Sequence, residues 1–290
     1  MTKIRSGNSS MIDDRRGSGG ALGGGGLGIP IKAGGGVLGL IVLLASIFLP
    51  KLLSGSNNAT SVPQPQDKSG AVAGTCDDAL EQVICGATED VQTYWQANLP
   101  RFFNTTYEVT KTVFFTDAVD TACGQATSQV GPFYCPVDHF VYLDLGFMQQ
   151  LEQQLVGTTA DLAEQYIVAH EYGHHVQNLV GINDQVQQAQ QNDPGRANQY
   201  SIAMELQADC FAGIWVGDVA ARGQLDSAAE IKEALDAAAA VGDDRIQQKT
   251  QGRVNEEAWT HGSAEQRQAW FTRGFNSGDA SQCDTFSEVL

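Results

Sequence analysis

Positive charge is scarce in this chain. Seventeen lysines and arginines face 34 aspartates and glutamates, for a net charge of −17. Lys3, Arg5, Arg15, Arg16 and Lys32 stand in the first 32 residues against only Asp13 and Asp14, so the remainder carries about −20. A surface of that sign disfavours nucleic acid and anionic membrane faces as partners. Cysteine is missing before position 76, and no two of the six cysteines form a C-x-x-C pair. A cysteine-held metal cluster is therefore disfavoured. No pairing of serine or cysteine with histidine competes as a covalent nucleophile, and no cell-wall-binding repeat is recognisable.

The N-terminal part is rich in Gly, Arg and Ser up to residue 36. It has almost nothing to bury, so residues 1–32 are expected to be disordered. No charge lies between Lys32 and Lys51, and Val37 to Leu49 is dominated by Leu, Ile and Val. That run is at the short end for a membrane helix. A cleaved signal peptide would start nearer the N-terminus and end in a small-x-small site, whereas Phe48-Leu49-Pro50-Lys51 follows here. The expectation is a transmembrane signal anchor over 33–50 and a flexible linker over 51–74. The positive-inside bias then leaves the N-terminus in the cytoplasm and residues 75–290 outside as one extracytoplasmic domain.

Cysteine usage agrees with that topology. All six cysteines lie beyond the apolar run and their number is even, which fits disulfides in an oxidising compartment. Among fifteen possible connectivities, the local pairs Cys76–Cys85 and Cys123–Cys135 are expected, leaving Cys210 with Cys283.

The most specific pattern is His170-Glu171-Tyr172-Gly173-His174. Positions i and i+4 of a helix share a face, so both imidazoles reach one metal ion, with Glu171 beside it as general base. The preceding residues 162–169 are largely apolar, so the helix is expected to be buried. Gly173 lowers helix propensity and implies a close approach of backbone or substrate. His175 projects about 100° away from His174 and reads as structural.

A zinc hydrolase site needs a third protein ligand. Residues 200–215 read as a second core helix, with Ile202, Leu206, Ala208, Phe211 and Trp215 apolar and Glu205 and Asp209 four apart. Two buried carboxylates on one face require neutralisation. Glu205 is assigned as third ligand and Asp209 as the acceptor that orients one histidine. The reverse order is an open alternative.

Taken with Tyr134-Cys135-Pro136, Tyr142-Leu143-Asp144, Glu205 to Cys210, Gly242 to Gln247 and Thr260 to Arg267, these motifs resemble the putative neutral zinc metallopeptidase family of bacteria, over residues 75–285. The resemblance implies an α+β, mainly helical, zincin-like domain with a small sheet, one Zn²⁺ per chain, and endopeptidase action on peptide or protein substrates. It also implies an edge strand that binds extended substrate by backbone pairing, which residues 138–144 are expected to supply or neighbour, a buried central strand being the open alternative, and an oxyanion donor opposite the metal. His261 is the candidate donor, with Arg245 and Arg267 as rivals. Ser263 and Gln266 form a capping box at the start of a further helix. Two other readings stay open: a membrane-tethered zinc-binding scaffold without peptidase activity, and a zinc hydrolase of non-peptide amides.

Overall fold

The computed structural model describes residues 2–7, 9–16, 72–155, 161–225, 227 and 229–289. The fold is α+β and mainly helical, with a small sheet. Five strands form the main sheet in the order β2-β1-β3-β7-β6. They are β1 (Ile12–Asp14), β2 (Val72–Ala73), β3 (Thr112–Phe115), β6 (Phe133–Tyr134) and β7 (Val141–Asp144). The three central strands run parallel, and β2 and β6 run antiparallel at the two edges. A separate hairpin joins β4 (Ala118–Thr121) and β5 (Gly124–Thr127).

Successive side chains of a strand face opposite sides of a sheet. In β3 and β7, Phe114, Val141 and Leu143 accordingly enter the main core, while Val113, Phe115 and Tyr142 meet Val119, Ala126 and Phe133 in a smaller cluster under the hairpin. Residues 138–144 were read as supplying or neighbouring a free edge, with a buried central strand as the open alternative; β7 is paired on both sides, with β3 and with β6, so the alternative holds. Its two faces feed two different apolar clusters, which is why it sits inside the sheet. The edge belongs to β6.

Helix α1 (Ala79–Phe103) opens with a capping box, in which Asp78 accepts from Glu81 N at 2.8 Å, and buries Ile84, Val91, Trp95 and Leu99. Helix α2 (Leu145–Leu155) leads to α3 (Asp161–Leu179), which is buried along almost its whole length from Asp161 to Gln177. Such a helix must lie at the centre of its domain. Then follow α4 (Ile182–Asn192), α5 (Ala197–Ala221), α6 (Ala229–Ala240), α7 (Asp243–Gln251), α8 (Ala264–Ser277) and α9 (Thr285–Val289). Helix α3 packs against α1, α5 and α6, and α5 packs against α8.

Glycine sets the two crossings nearest the site. A Cβ on Gly173 would lie 3.1 Å from Ala208 Cα, so α3 and α5 approach closely there. A Cβ on Gly274 would meet Cys210 O at 1.9 Å, which holds α8 equally close to α5. Disulfides join Cys76 to Cys85, Cys123 to Cys135 and Cys210 to Cys283.

The N-terminus departs most from expectation. Of the segment 1–32, expected to be disordered, residues 2–7 and 9–16 are part of the domain. Ile4 and Ile12 are buried in the main core. Gln165 Nε2 in α3 donates to Thr2 Oγ1 at 2.8 Å and to Ile4 O at 2.7 Å. Arg5 pairs with Asp161 at the start of α3, and Arg16 bridges Asp14 and Glu81. Residues 72 and 73 of the expected linker form β2.

These pairings overturn the single-pass topology with the N-terminus in the cytoplasm and the catalytic domain outside. Strands β1 and β2 flank residues 33–50 in the chain, yet Asp13 pairs with Ala73 and Asp14 with Val72, and β1 also pairs with β3. One bilayer crossing between them would hold the two strands on opposite faces. Among the described residues no helix is long and apolar enough to cross a membrane. The run 33–50 itself lies outside the described residues, as do residues 17–32 and 51–71.

Candidate metal centre

Helix α3 brings His170 and His174 onto one face, and their ring centroids lie 4.8 Å apart. Helix α5, held against α3 at the Gly173–Ala208 crossing, brings Glu205 opposite them. His170 Nε2 is 3.1 Å from Glu205 Oε2, and His174 Nε2 is 3.5 Å from Glu205 Oε1. One ligand atom from each of the three residues lies within 4.8 Å of the other two.

This donor set fits a divalent metal. Tetrahedral zinc with ligand distances near 2.0–2.1 Å spaces its ligand atoms by about 3.3 Å, close to the two separations observed. Each histidine also uses its other ring nitrogen to hold a partner. His170 Nδ1 lies 2.8 Å from Asp209 Oδ1, and His174 Nδ1 lies 2.8 Å from Gln177 Oε1. Both Nε2 atoms are thereby aimed at the shared space with Glu205.

Glu205 and Asp209 play different parts. Asp209 is fully buried, and both its oxygens are engaged: Oδ1 by His170, Tyr166 OH and Arg267 Nη2, Oδ2 by Arg267 Nε at 2.7 Å. Nothing remains for a metal. Glu205 oxygens face the two imidazoles instead. Sequence spacing had left this order open, and the donors around Asp209 favour Glu205 as the residue free to face a metal.

Arg267 was one rival for the oxyanion donor, but its fork is spent on Asp209 and lies against the His170 ring, 3.3 Å from Nδ1. Arg245, the other rival, is 69% exposed at its side chain and faces Asp244.

The charges are strongly coupled. Burial alone would lower the His170 pKa, but the charge and hydrogen bond of Asp209, with Glu205, outweigh it and raise it to about 9. Burial alone would raise Glu205, yet the charge of His174 and the bonds from both imidazoles hold it well below the usual carboxylate range. Glu171 is 7% exposed and takes no hydrogen bond among the described residues. Burial pushes its carboxyl up, against the charges of His170 and His174. A carboxylate so placed is suited to take and return a proton.

His261 is buried and close enough to Glu205 for its charge to lower that carboxyl. Its position depends on Asp243, a residue that spacing alone did not single out. Asp243 Oδ2 accepts the backbone N–H groups of Thr260, His261 and Gly262 at 2.7, 2.6 and 3.1 Å. Its Oδ1 lies 3.2 Å from His261 Nδ1, and His261 Nε2 makes no bond among the described residues. The neighbouring Asp244 accepts from Ala264 N at 2.7 Å, and the Ser263–Gln266 capping box starts α8.

His175 stands outside the site. It is fully buried, with Nε2 2.7 Å from Glu108 O and Nδ1 3.0 Å from Tyr134 OH. Because a carbonyl only accepts, Nε2 carries the proton and Nδ1 accepts from the tyrosine. Burial lowers its pKa to about 4.

The family described as "Putative neutral zinc metallopeptidase" matches residues 1–286. The chain is 42% identical over 286 residues to YpfJ, an uncharacterized protein of Escherichia coli K12, covering 97% of each chain. It is 50% identical over 182 residues to the uncharacterized protein Rv2575 of Mycobacterium tuberculosis H37Rv, covering 60% of this chain and 61% of that one. No solved structure matches. The family match begins well before residue 75, in keeping with β1 being part of the sheet.

Proposed function

The chain belongs to the family described as "Putative neutral zinc metallopeptidase", and from that premise we propose that it is a zinc-dependent peptidase with a zincin-like catalytic centre. His170, His174 and Glu205 would hold one Zn²⁺ per chain. The observation that carries this reading is the convergence of two imidazole Nε2 atoms on Glu205, with the buried, unbonded carboxylate of Glu171 beside them.

Bound zinc supplies Lewis acidity, which polarises a peptide carbonyl and brings the pKa of water toward neutrality. Glu171 takes a proton from the attacking water as the C–O bond forms. It returns that proton to the amide nitrogen as the C–N bond breaks, so the products are a carboxylic acid and an amine. His261, its Nδ1–H held by Asp243 and its ring carrying a proton on both nitrogens, would present Nε2–H to the carbonyl oxygen as negative charge develops there. Asp209 and Arg267 keep His170 in one tautomer and one orientation throughout. Substrates are peptides or proteins.

The test compares the full chain with its Glu171→Gln twin on a peptide library, measuring zinc content in both. The expected result is one zinc per chain in each and cleavage by the wild type alone. A library left intact by a zinc-loaded wild type would argue against a general peptidase. The full chain is needed because residues 2–16 complete the sheet.

A further inference from the structure

His174 differs from His170 in the partner of its second nitrogen. His170 leans on a carboxylate paired to arginine, whereas His174 leans on a neutral amide, and that amide begins a buried relay. Gln177 Oε1 lies 2.8 Å from His174 Nδ1. Gln177 Nε2 donates to Met204 O at 2.8 Å and to Gln207 Oε1 at 3.1 Å. Gln207 Nε2 donates in turn to Cys283 O at 2.9 Å. Gln177 and Cys283 are almost fully buried and Gln207 is 6% exposed.

The direction of this relay is fixed by chemistry. A backbone carbonyl only accepts, so Cys283 O requires the nitrogen of Gln207. The Gln207 oxygen must then face Gln177. Gln177 meets two acceptors, Met204 O and Gln207 Oε1, and must turn its nitrogen to both. Its oxygen is left for His174 Nδ1, which must therefore carry a proton. In the neutral ring the Nε2 lone pair then faces Glu205. Two carbonyls that never touch the site thus select the tautomer that can bind a metal.

The far end is anchored covalently. Cys283 is joined to Cys210 in α5, the helix that carries Glu205, Gln207 and Met204. Thr285 Oγ1 donates to Ala203 O at 2.6 Å and seats the same segment again. We infer that Gln177 and Gln207 are positioning residues for His174, and that the Cys210–Cys283 disulfide acts on metal binding through them by fixing the Cys283 carbonyl. This rests on the zinc reading of the site, but its consequences differ from those of that reading.

The experiment measures zinc affinity by chelator competition, and the absorption spectrum of the Co²⁺-loaded protein, on full-length variants. Gln177→Leu should weaken zinc binding by about 10- to 100-fold and alter the Co²⁺ spectrum. Gln177→Glu keeps an oxygen acceptor at Nδ1 but loses the donor to Met204 O and Gln207 Oε1, so it should restore only part of that loss, which a purely space-filling role would not predict. Gln207→Leu should cost less, because Met204 O still orients Gln177.

Disulfide removal by Cys210→Ser/Cys283→Ser should weaken binding no more than Gln207→Leu, and the two changes combined should cost no more than the larger alone. Unchanged zinc affinity and Co²⁺ spectrum in Gln177→Leu, beside a His174→Ala variant that has lost zinc, would overturn the relay. If Gln177→Leu does not fold, unchanged affinity in Gln207→Leu overturns it instead. Full additivity of Gln207→Leu with disulfide loss would overturn the disulfide's action through the relay. If His170→Ala and His174→Ala bind zinc as the wild type does, what has failed is the zinc site itself.

Discussion

Asp209 Oδ1 stands 2.8 Å from His170 Nδ1, in a pocket that excludes water from the aspartate entirely. The contact is more than an orienting bond, because the same carboxylate neutralises the buried guanidinium of Arg267. Asp209→Ala removes the direct hydrogen-bonded partner of that cation, leaving Glu205 Oε2 at 3.9 Å as its carboxylate neighbour, and should destabilise the fold by about 3–5 kcal/mol. Chemical denaturation checks this, and a loss under about 1 kcal/mol would show that the pair is not a structural support.

Acid sensitivity follows from His175. Its folded pKa, about 4, lies below the unfolded value near 6.5. Between those values the unfolded chain binds a proton that the folded chain refuses. Stability should fall as pH drops from 6.5 to 4, by on the order of 3 kcal/mol from this residue. His175→Gln should flatten that part of the stability–pH curve. An unchanged slope would mean that the histidine titrates normally.

The N-terminal strand is a part of the fold with a measurable contribution. Ile12 is 2% exposed and lies in the main core. Ile12→Ala should cost about 2–5 kcal/mol, and deleting residues 2–16 should abolish cooperative unfolding. A truncated chain with native stability would contradict the pairing of β1 between β2 and β3.

His261→Ala should lower kcat/KM by on the order of 10²-fold with zinc affinity unchanged, if its Nε2–H serves the developing oxyanion. Steady-state kinetics on a cleaved peptide, with zinc titrated alongside, separates that outcome from a packing role, which would leave kcat/KM near wild type.

Sequence spacing was most informative where helical geometry alone decides the outcome. His170 and His174 share a face because they are four apart, and Gly173 implied a close crossing that proves to be with Ala208. The helix of Glu205 was legible for the same reason. The order of Glu205 and Asp209 was not, since Arg267 and Tyr166, which occupy Asp209, come from distant parts of the chain. Gln177 was not singled out, and the roles of Asp243 and Gln207 within their motifs were not legible, because all three act through carbonyls and backbone N–H groups that only the fold assembles. The N-terminus misled on composition. A polar, glycine-rich stretch with little to bury reads as disordered, yet Ile4 and Ile12 suffice when an existing sheet and α3 offer them a core. Once β1 was seen to pair with β2, the single membrane crossing inferred from one apolar run and its flanking charges lost its geometry.

The central claim is that Glu171 moves the proton in a zinc site built by His170, His174 and Glu205. The most direct test loads the full-length wild type and Glu171→Gln with zinc, confirms one metal in each, and follows cleavage of a peptide library. The account predicts equal zinc content and turnover that nearly vanishes in the variant. Equal cleavage by both proteins would contradict it.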